Sequence, residues 1–189
     1  MSSWLDIVGS FIVGTFIVLI VANINMIIAS SSSEILFSNI AQANISSSLD
    51  IVEQDIYKAG YRATGEKISL AKKTEIKFAL DIDDNGTNES LYYYLGDKSE
   101  LEATDNPNDR FLYRVVNSET PKIMSTVTDF ELTYYDSTGS SLSYSSLESS
   151  SVRERVRSIE IYLKVESAEV VDSVYQGAEW QRTISPKNL

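Results

Sequence analysis

The feature that most restricts the fold of this chain is an uncharged, apolar segment near its N-terminus. Residues 7–29 contain no Asp, Glu, Lys or Arg across 23 positions. As an α-helix that rises about 1.5 Å per residue, they span about 35 Å, which exceeds the roughly 30 Å hydrocarbon core of a bilayer. Trp4 precedes the segment where an interfacial anchor is expected. The sequence therefore predicts a helix able to cross a membrane.

A cleavable signal peptide ending near Ala29 is the competing interpretation of this segment. The apolar run is longer than that of a typical signal peptide, and no basic residue precedes it. Ile27 also occupies a position that usually takes a small side chain. These features favour a retained anchor.

Small side chains follow the first turns of the predicted helix. Ser10 and Gly14 have the small-xxx-small spacing that lets two helix backbones approach closely in lipid, and Gly9 adjoins them. Together with Trp4, these residues predict a surface for subunit assembly.

A single acid, Asp6, stands at the start of the apolar segment and allows two interpretations. Ser3 and Asp6 have the spacing of a capping box, and an acid in the first turn suits the positive end of the helix dipole. Alternatively, Asp6 pairs with the N-terminal amine of an adjacent subunit, because ionisable groups at the membrane edge tend to have partners. The two interpretations are compatible.

Residues 34–60 carry a second helical pattern, in which apolar residues share one side and polar residues fall on the others. Gly60 is expected to end this helix. The Asn and Ser residues at positions 23, 25 and 30–33 are expected to weaken the helix between its halves, because their side chains compete for backbone hydrogen bonds. The apolar stripe consists of Ile45, Leu49, Val52 and Ile56.

After Gly60 the periodicity changes from helical to alternating. Residues 75–82 and 91–95 alternate apolar and polar side chains around the acidic turn of residues 83–86, which predicts a β-hairpin. Residues 140–151 form a Ser-rich loop. Further strands are predicted at residues 111–116, 127–135, 159–165 and 180–184.

These patterns predict an α+β fold, with a long N-terminal helix packed on an antiparallel β-sheet head. We expect residues 1–33 to form the hydrophobic helix, as membrane anchor or filament core, and residues 34–60 to form the amphipathic helix. Residues 61–189 form the β-rich globular head.

Composition restricts the function classes. Sixteen Lys and Arg against 27 Asp and Glu give a net charge of −11, which disfavours a nucleic-acid partner. The chain lacks both Cys and His, and no glycine-rich phosphate loop or nucleophile elbow is present. We therefore predict that the protein is not an enzyme and needs no cofactor, with calcium as the one candidate ion.

The calcium candidate is the segment DIDDNG at residues 81–86. Asp81, Asp83 and Asn85 match the first half of a calcium loop, and Glu89 occupies its ninth position. The twelfth position is Tyr92, so the usual bidentate Glu is missing. An acidic hairpin turn is the favoured alternative, because Asp, Asn and Gly are common turn residues.

Two other features have ordinary explanations. Three consecutive tyrosines at residues 92–94 suggest a carbohydrate shelf or stacking between subunits, but successive strand residues face opposite ways and β-sheet aromatics are the simpler interpretation. A basic cluster at residues 153–157 fits either a solvated face or an acidic patch on a neighbouring subunit.

Four blocks of the sequence resemble type IV pilin-like proteins, with minor pilins and pseudopilins as the closest branch. The blocks are LDIVEQDIYKAGYR at residues 49–62, VTDFELTYYDSTG at 127–139, VRSIEIYLKVES at 156–167 and the terminal ISPKNL. They occur in the same order and at family-like spacing. The resemblance implies a subunit whose apolar helix assembles into a filament core. It also implies that Asp6, the fifth residue once Met1 is removed, pairs with the N-terminal amine of the next subunit.

The resulting hypothesis is a structural subunit of a type IV pilus-like or pseudopilus-like extracellular filament. Its partners would be copies of itself or other pilin-like subunits, and it would reside in the inner membrane before assembly. The head would be extracytoplasmic. The alternative is a singly membrane-anchored extracytoplasmic binding domain that does not polymerise, and a tethered hydrolase is a distant third.

Overall fold

A computed structural model describes residues 2–101, 104, 106–171 and 173–189, and the side chains of these residues except 2, 37, 38, 41, 44, 45, 47, 48, 168, 169 and 171. The first element is one helix, α1, Ser2–Tyr57, of 56 residues and about 84 Å. The predicted weakening at residues 23–33 does not occur. Ser33 explains part of this, since its hydroxyl donates to the Ala29 carbonyl 3.0 Å away and so stays within the helical pattern.

Helix α1 ends close to the predicted stop. Gly60 adopts a φ of +76°, a backbone conformation that favours glycine, and its N–H donates to the Ala79 carbonyl at 2.8 Å. A Cβ at this position would lie 2.8 Å from the Asn188 carbonyl oxygen. Gly60 thus turns the chain away from the helix and lets the C-terminal segment approach closely.

Two antiparallel sheets form the head. The first has the order β1-β2-β3-β4-β5, and its strands are β1 Ile68–Ala71, β2 Glu75–Leu80, β3 Glu89–Leu95, β4 Arg110–Val116 and β5 Lys122–Val127. The second has the order β7-β6-β8-β9, and its strands are β6 Asp129–Tyr135, β7 Ser141–Leu142, β8 Ser158–Val171 and β9 Val174–Ile184. Short helices are the 3-10 turns Lys98–Leu101 and Ser146–Glu148 and the single-turn α2, Ser150–Arg153. The α+β prediction is confirmed.

The head differs from the prediction in its strand number and in its division into two sheets. Strands β1, β5 and β7 were not predicted, and the expected strand at residues 127–135 is divided at Thr128. The Thr128 N–H donates to the Lys164 carbonyl of β8 at 2.9 Å, so the chain leaves the first sheet and enters the second here. Residues 140–151, expected to be a loop, contain β7 and the start of α2.

The amphipathic half of α1 packs mainly on β8 and β9. Leu49, Val52 and Ile56 of the predicted stripe are buried, and Ala59 extends it. The fourth stripe residue, Ile45, lies outside the described side chains. Fully burying each such aliphatic side chain contributes about 1.5–3 kcal/mol, so the stripe is the main attachment of the helix to the head. The largest fully buried side chains of the described strands are Ile76, Phe78, Leu80, Leu91, Tyr93, Leu112, Phe130, Leu132, Tyr134 and Ile159.

Two ion pairs flank this buried stripe, one to each sheet. Asp55 lies 2.7 Å from Arg114 of β4, and Glu53 lies 2.6 Å from Arg182 of β9. The guanidinium of Arg182 also stacks over the Trp180 ring, 5.6 Å from its centroid. Polar contacts therefore fix α1 on both sides.

Candidate functional site

The N-terminal half of α1 exposes a continuous apolar surface. Among the described residues from Trp4 to Ile28, the large apolar side chains are between 50% and 80% exposed. Residues Ser3–Leu36 are long and apolar enough to cross a membrane, and none of the most apolar window is buried within the chain. Monomeric soluble proteins rarely expose an apolar patch of this size, so another apolar phase or protein must cover it. By length and composition, a membrane anchor and a signal sequence both fit.

Three of the five residues predicted to mediate assembly share one groove on this surface. Asp6, Ser10 and Gly14 are four residues apart and therefore lie along one side of the helix. Trp4 and Gly9 are on α1 but not in this groove. The groove is lined by Asp6, Ile7, Ser10, Phe11, Gly14, Thr15 and Val18.

The polar groups in the groove are largely satisfied within the helix. The Ser10 hydroxyl donates to the Asp6 carbonyl and the Thr15 hydroxyl donates to the Phe11 carbonyl, both at 2.8 Å. A Cβ added at Gly14 would meet no atom of the chain within 4 Å. The groove thus offers a close approach to the backbone and mostly carbon contacts.

Asp6 lies beyond the first turn of α1, because the helix already begins at Ser2. The capping-box interpretation, which needs an acid in the first turn, therefore does not describe this structure. Within the described part of the chain, no Lys or Arg forms an ion pair with Asp6, and the first basic residue in the sequence is Lys58. Lys58 is 52 positions and about 78 Å farther along the helix direction.

The acidic turn connects β2 and β3, as predicted, and brings its carboxylates together. One carboxylate oxygen from each of Asp81, Asp83 and Glu89 lies within 4.8 Å of the others. The fourth predicted residue, Asn85, donates from its side-chain amide to Asp83 at 2.9 Å. The structure thus collects all four predicted calcium-loop residues at one turn.

Backbone N–H groups already donate hydrogen bonds to several of these carboxylate oxygens. Buried Asp81 accepts the N–H groups of Asn85 and Gly86, both at 3.1 Å, and Glu89 accepts the Ile82 N–H at 2.7 Å. The hydroxyl of Tyr92, at the twelfth position, bonds to Glu75 instead. A well-bonded turn and a calcium loop both fit this geometry.

The consecutive tyrosines divide between the two faces of the first sheet. Tyr93 is buried, while Tyr92 and Tyr94 stack on the other face with ring centroids 4.9 Å apart. Tyr113 continues the stack at 4.9 Å, and its hydroxyl bonds to Glu100 at 2.5 Å, which raises the pKa of Tyr113 to about 12. Because the rings cover one another's faces, they form sheet packing rather than an open carbohydrate shelf.

The basic cluster divides, because Arg155 and Arg157 are exposed whereas Arg153 is held by the fold. Arg153 donates to the carbonyls of Ile68, Leu147 and Glu148 at 2.7–3.0 Å and pairs with Glu66 at 2.5 Å. Its guanidinium therefore joins β1 to the 3-10 turn before α2. The sequence of the basic cluster alone does not predict that Arg153 joins these two elements.

No protein-family model, curated protein or solved structure matches this chain.

Sequence reasoning missed the two ion pairs that orient α1, namely Asp55 with Arg114 and Glu53 with Arg182. The available signal was that both acids lie beside the apolar stripe of the amphipathic helix. Their basic partners are more than 55 residues away in the sequence and could be assigned only from the fold.

Proposed function

We propose that this protein is a structural subunit of a type IV pilus-like or pseudopilus-like extracellular filament, assembled through its hydrophobic N-terminal helix. The observation that carries the proposal is the division of α1 into an exposed apolar half and a half packed on the head. In a filament, the apolar halves of successive subunits would bundle along the axis. The heads would form the outer surface.

The exposed apolar run supports bundling after the subunit leaves the membrane. Residues 7–29 span about 35 Å, so a bilayer of about 30 Å covers them with a modest tilt before assembly. Once the helix is extracted, the same exposed side chains would be covered by neighbouring copies.

The position of Asp6 also supports assembly between chains. The 51 residues after it supply no basic partner, and the groove beside it leaves a helix backbone open to close approach at Gly14. An N-terminal amine of an adjacent subunit would neutralise this carboxylate, as the pilin-like resemblance implies.

The second candidate function is a singly anchored extracytoplasmic binding domain that does not polymerise. It is favoured by the same helix, which is sufficient to anchor one copy in a membrane. The two proposals differ in where the mature protein is found and in whether Asp6 is needed.

Electron microscopy of material sheared from native cells, with mass spectrometry to identify the subunit and its true N-terminus, tests the proposal. We expect filaments that contain the chain, and we expect Asp6→Ala to leave it in the membrane fraction. Asp50→Ala is the matched control, since Asp50 is an exposed acid on the same helix. Recovery of wild-type chain only as single membrane-bound copies would establish the anchored alternative.

A further inference from the structure

Strand β9 is an edge of the second sheet, and among the described strands only β8 pairs with it. The other edges carry devices that natural sheets use against edge-to-edge pairing. Strand β7 has two residues, β5 has a shifted register against β4, and the Ile68 carbonyl of β1 is bonded to Arg153. The 11 residues of β9 contain neither Pro nor Lys, and their pairing with β8 is regular from Gly177 to Ile184. Strand β9 is therefore a long edge without such protection.

The register of β8 and β9 shows which backbone groups of β9 point outward. The Lys164 carbonyl of β8 accepts the Thr128 N–H at 2.9 Å, on the side of β6, so it points away from β9. Glu179 lies opposite Lys164, and this pair therefore shares no backbone hydrogen bond. The N–H and C=O of Glu179 then point away from β8. The next residue but two, Gln176, points the other way, since its N–H donates to Ser167 of β8 at 3.0 Å.

Four residues of the regular part of β9 share this outward direction, because backbone direction alternates along a strand. Their N–H and C=O groups have no hydrogen-bond partner among the described residues. With one donor and one acceptor each, they present eight backbone groups along about 20 Å. The four residues are Gly177, Glu179, Gln181 and Thr183.

The same edge of a second copy matches these eight groups. An antiparallel pair of β9 edges with its two-fold axis at Trp180 leaves none of them without a partner. In this register, Glu179 lies opposite Gln181 of the second copy, so that a carboxylate meets an amide that can donate to it. The other two outward residues, Gly177 and Thr183, lie opposite each other.

Neighbouring registers fit less well. Moving the second copy by two residues in one direction places the two Glu179 carboxylates opposite each other, which is destabilising. Moving it in the other direction places Gly177 opposite Ser185, which is beyond the end of β9. Charge and hydrogen bonding therefore favour the register centred on Trp180.

We propose that the outer edge of β9, residues 177–183, binds the same edge of a second copy of this protein, antiparallel and centred on Trp180. The two four-stranded sheets then form one continuous sheet of eight strands. The two Trp180 side chains are direct neighbours across the new pair of strands, and aromatic pairs of this kind stabilise a sheet.

The contact joins copies that face opposite ways. Strand β9 runs in the same direction as α1, as three contacts in order along both segments show: Arg182 with Glu53, Lys187 with Tyr57, and the Asn188 carbonyl beside Gly60. Antiparallel pairing of β9 therefore points the two apolar helix halves in opposite directions. Such copies do not lie side by side in one membrane or in one filament. The contact instead joins heads on two oppositely directed filaments; this role rests on the proposed function, whereas the pairing itself does not.

Two substitutions at Gln181 test the pairing in opposite directions. Gln181 is exposed, so both variants should fold. In sedimentation equilibrium of the full chain in detergent, we expect a dimer whose dissociation constant rises about tenfold in Gln181→Glu, because two pairs of Glu side chains then face each other. It should fall several-fold in Gln181→Lys. Ser118→Glu, at an exposed position outside β9, is the charge-matched control and should leave the constant unchanged.

Cysteine cross-linking determines the register, because the chain has no Cys of its own. Facing residues that share no backbone hydrogen bond have Cα atoms about 4.5 Å apart, within disulfide range. Trp180→Cys should therefore form a disulfide between copies on mild oxidation. Arg182→Cys should not, because its counterpart lies four residues, about 13 Å, farther along the strand.

A monomeric wild-type chain, or a dimer that responds equally to Gln181→Glu, Gln181→Lys and Ser118→Glu, would overturn the proposal. A disulfide in Arg182→Cys but not in Trp180→Cys would overturn it as well. The Gln181 variants decide the matter if Trp180→Cys does not fold. Filaments in sheared material from cells, with a purified chain that shows no β9 contact, would leave the proposed function standing; the β9 dimer without filaments would do the reverse.

Discussion

Asp55 of α1 and Arg114 of β4 form an ion pair of 2.7 Å that joins the helix to the first sheet, with their side chains only 16% and 19% exposed. Tyr93 of β3 completes the contact by donating its hydroxyl to the same carboxylate at 2.6 Å. Desolvation and the Asp55 charge raise the pKa of the Tyr93 hydroxyl, so it stays a donor at any physiological pH. Three elements are thus joined at one carboxylate.

Removing this carboxylate should destabilise the head. We expect Asp55→Ala to lower the free energy of unfolding by about 2–3 kcal/mol, because it leaves a largely buried guanidinium and hydroxyl without their acceptor. Glu53→Ala is the control. Its partner Arg182 is 54% exposed, so the loss should stay below about 1 kcal/mol. Urea titration of the full chain in mild detergent, followed by near-ultraviolet circular dichroism, measures both; equal losses would contradict the assignment.

Gly60 should tolerate no side chain. Gly60→Ala combines left-handed strain of about 1–2 kcal/mol with a 2.8 Å approach of Cβ to the Asn188 carbonyl. Gly65→Ala separates these effects, since Gly65 has a φ of +88° but open space around it. We expect a clearly lower melting temperature for Gly60→Ala than for Gly65→Ala. Similar melting temperatures would mean that the C-terminal segment around Asn188 moves away from the new Cβ at little cost in stability.

Asp136 should make stability depend on acid pH. Hydrogen bonds from Thr138, followed by those of Ser140 and Arg155, lower its pKa to about 2. Because the folded pKa lies below the unfolded value of about 3.9, this contribution is present above pH 4 and is lost as pH falls through 2. Asp136→Asn and Thr138→Val should both flatten the decline in unfolding midpoint between pH 5 and pH 2. If the unfolding midpoint of both variants declined with pH as steeply as that of the wild type, the expectation would be refuted.

The acidic turn should be stable without metal. Asp81 and Glu89 already accept three backbone N–H groups, so we expect chelation of calcium to leave the melting temperature of the full chain unchanged. A calcium-dependent rise of several degrees that Asp83→Asn abolishes would instead assign the loop as a calcium site. Asp97→Asn, outside the loop, controls for general charge effects.

Small size at position 14 should matter for assembly and not for folding. Gly14→Ile places a branched side chain in the groove beside Asp6 and Ser10, and should abolish filaments in sheared material. Gly9→Ile adds the same bulk outside that groove. Neither position has an atom of the chain within 4 Å of a new Cβ, so both variants should fold. Filaments from both variants would exclude the groove from the assembly contact.

The sequence was informative where periodicity records burial. Leu49, Val52 and Ile56 repeat with the helix and are buried, and Tyr92 to Tyr94 alternate faces as strand geometry requires. The sequence was less informative where a strand forms mainly because it pairs with a neighbouring strand. Strand β5 has an irregular burial pattern and a shifted register against β4, so alternation could not reveal it. The small residues on α1 were identified from the sequence. The helix geometry then shows that Gly14 lines the groove with Asp6 and Ser10, whereas Gly9 does not.

No proline interrupts α1, which continues from the apolar half into the region held by Glu53 and Asp55. A pull on the N-terminal end would therefore travel along a stiff rod into the head with little bending. The load would reach the Arg182 and Arg114 ion pairs and the buried stripe together, in shear. Mechanical rupture would then require all of these contacts to fail at once, rather than one after another as in peeling.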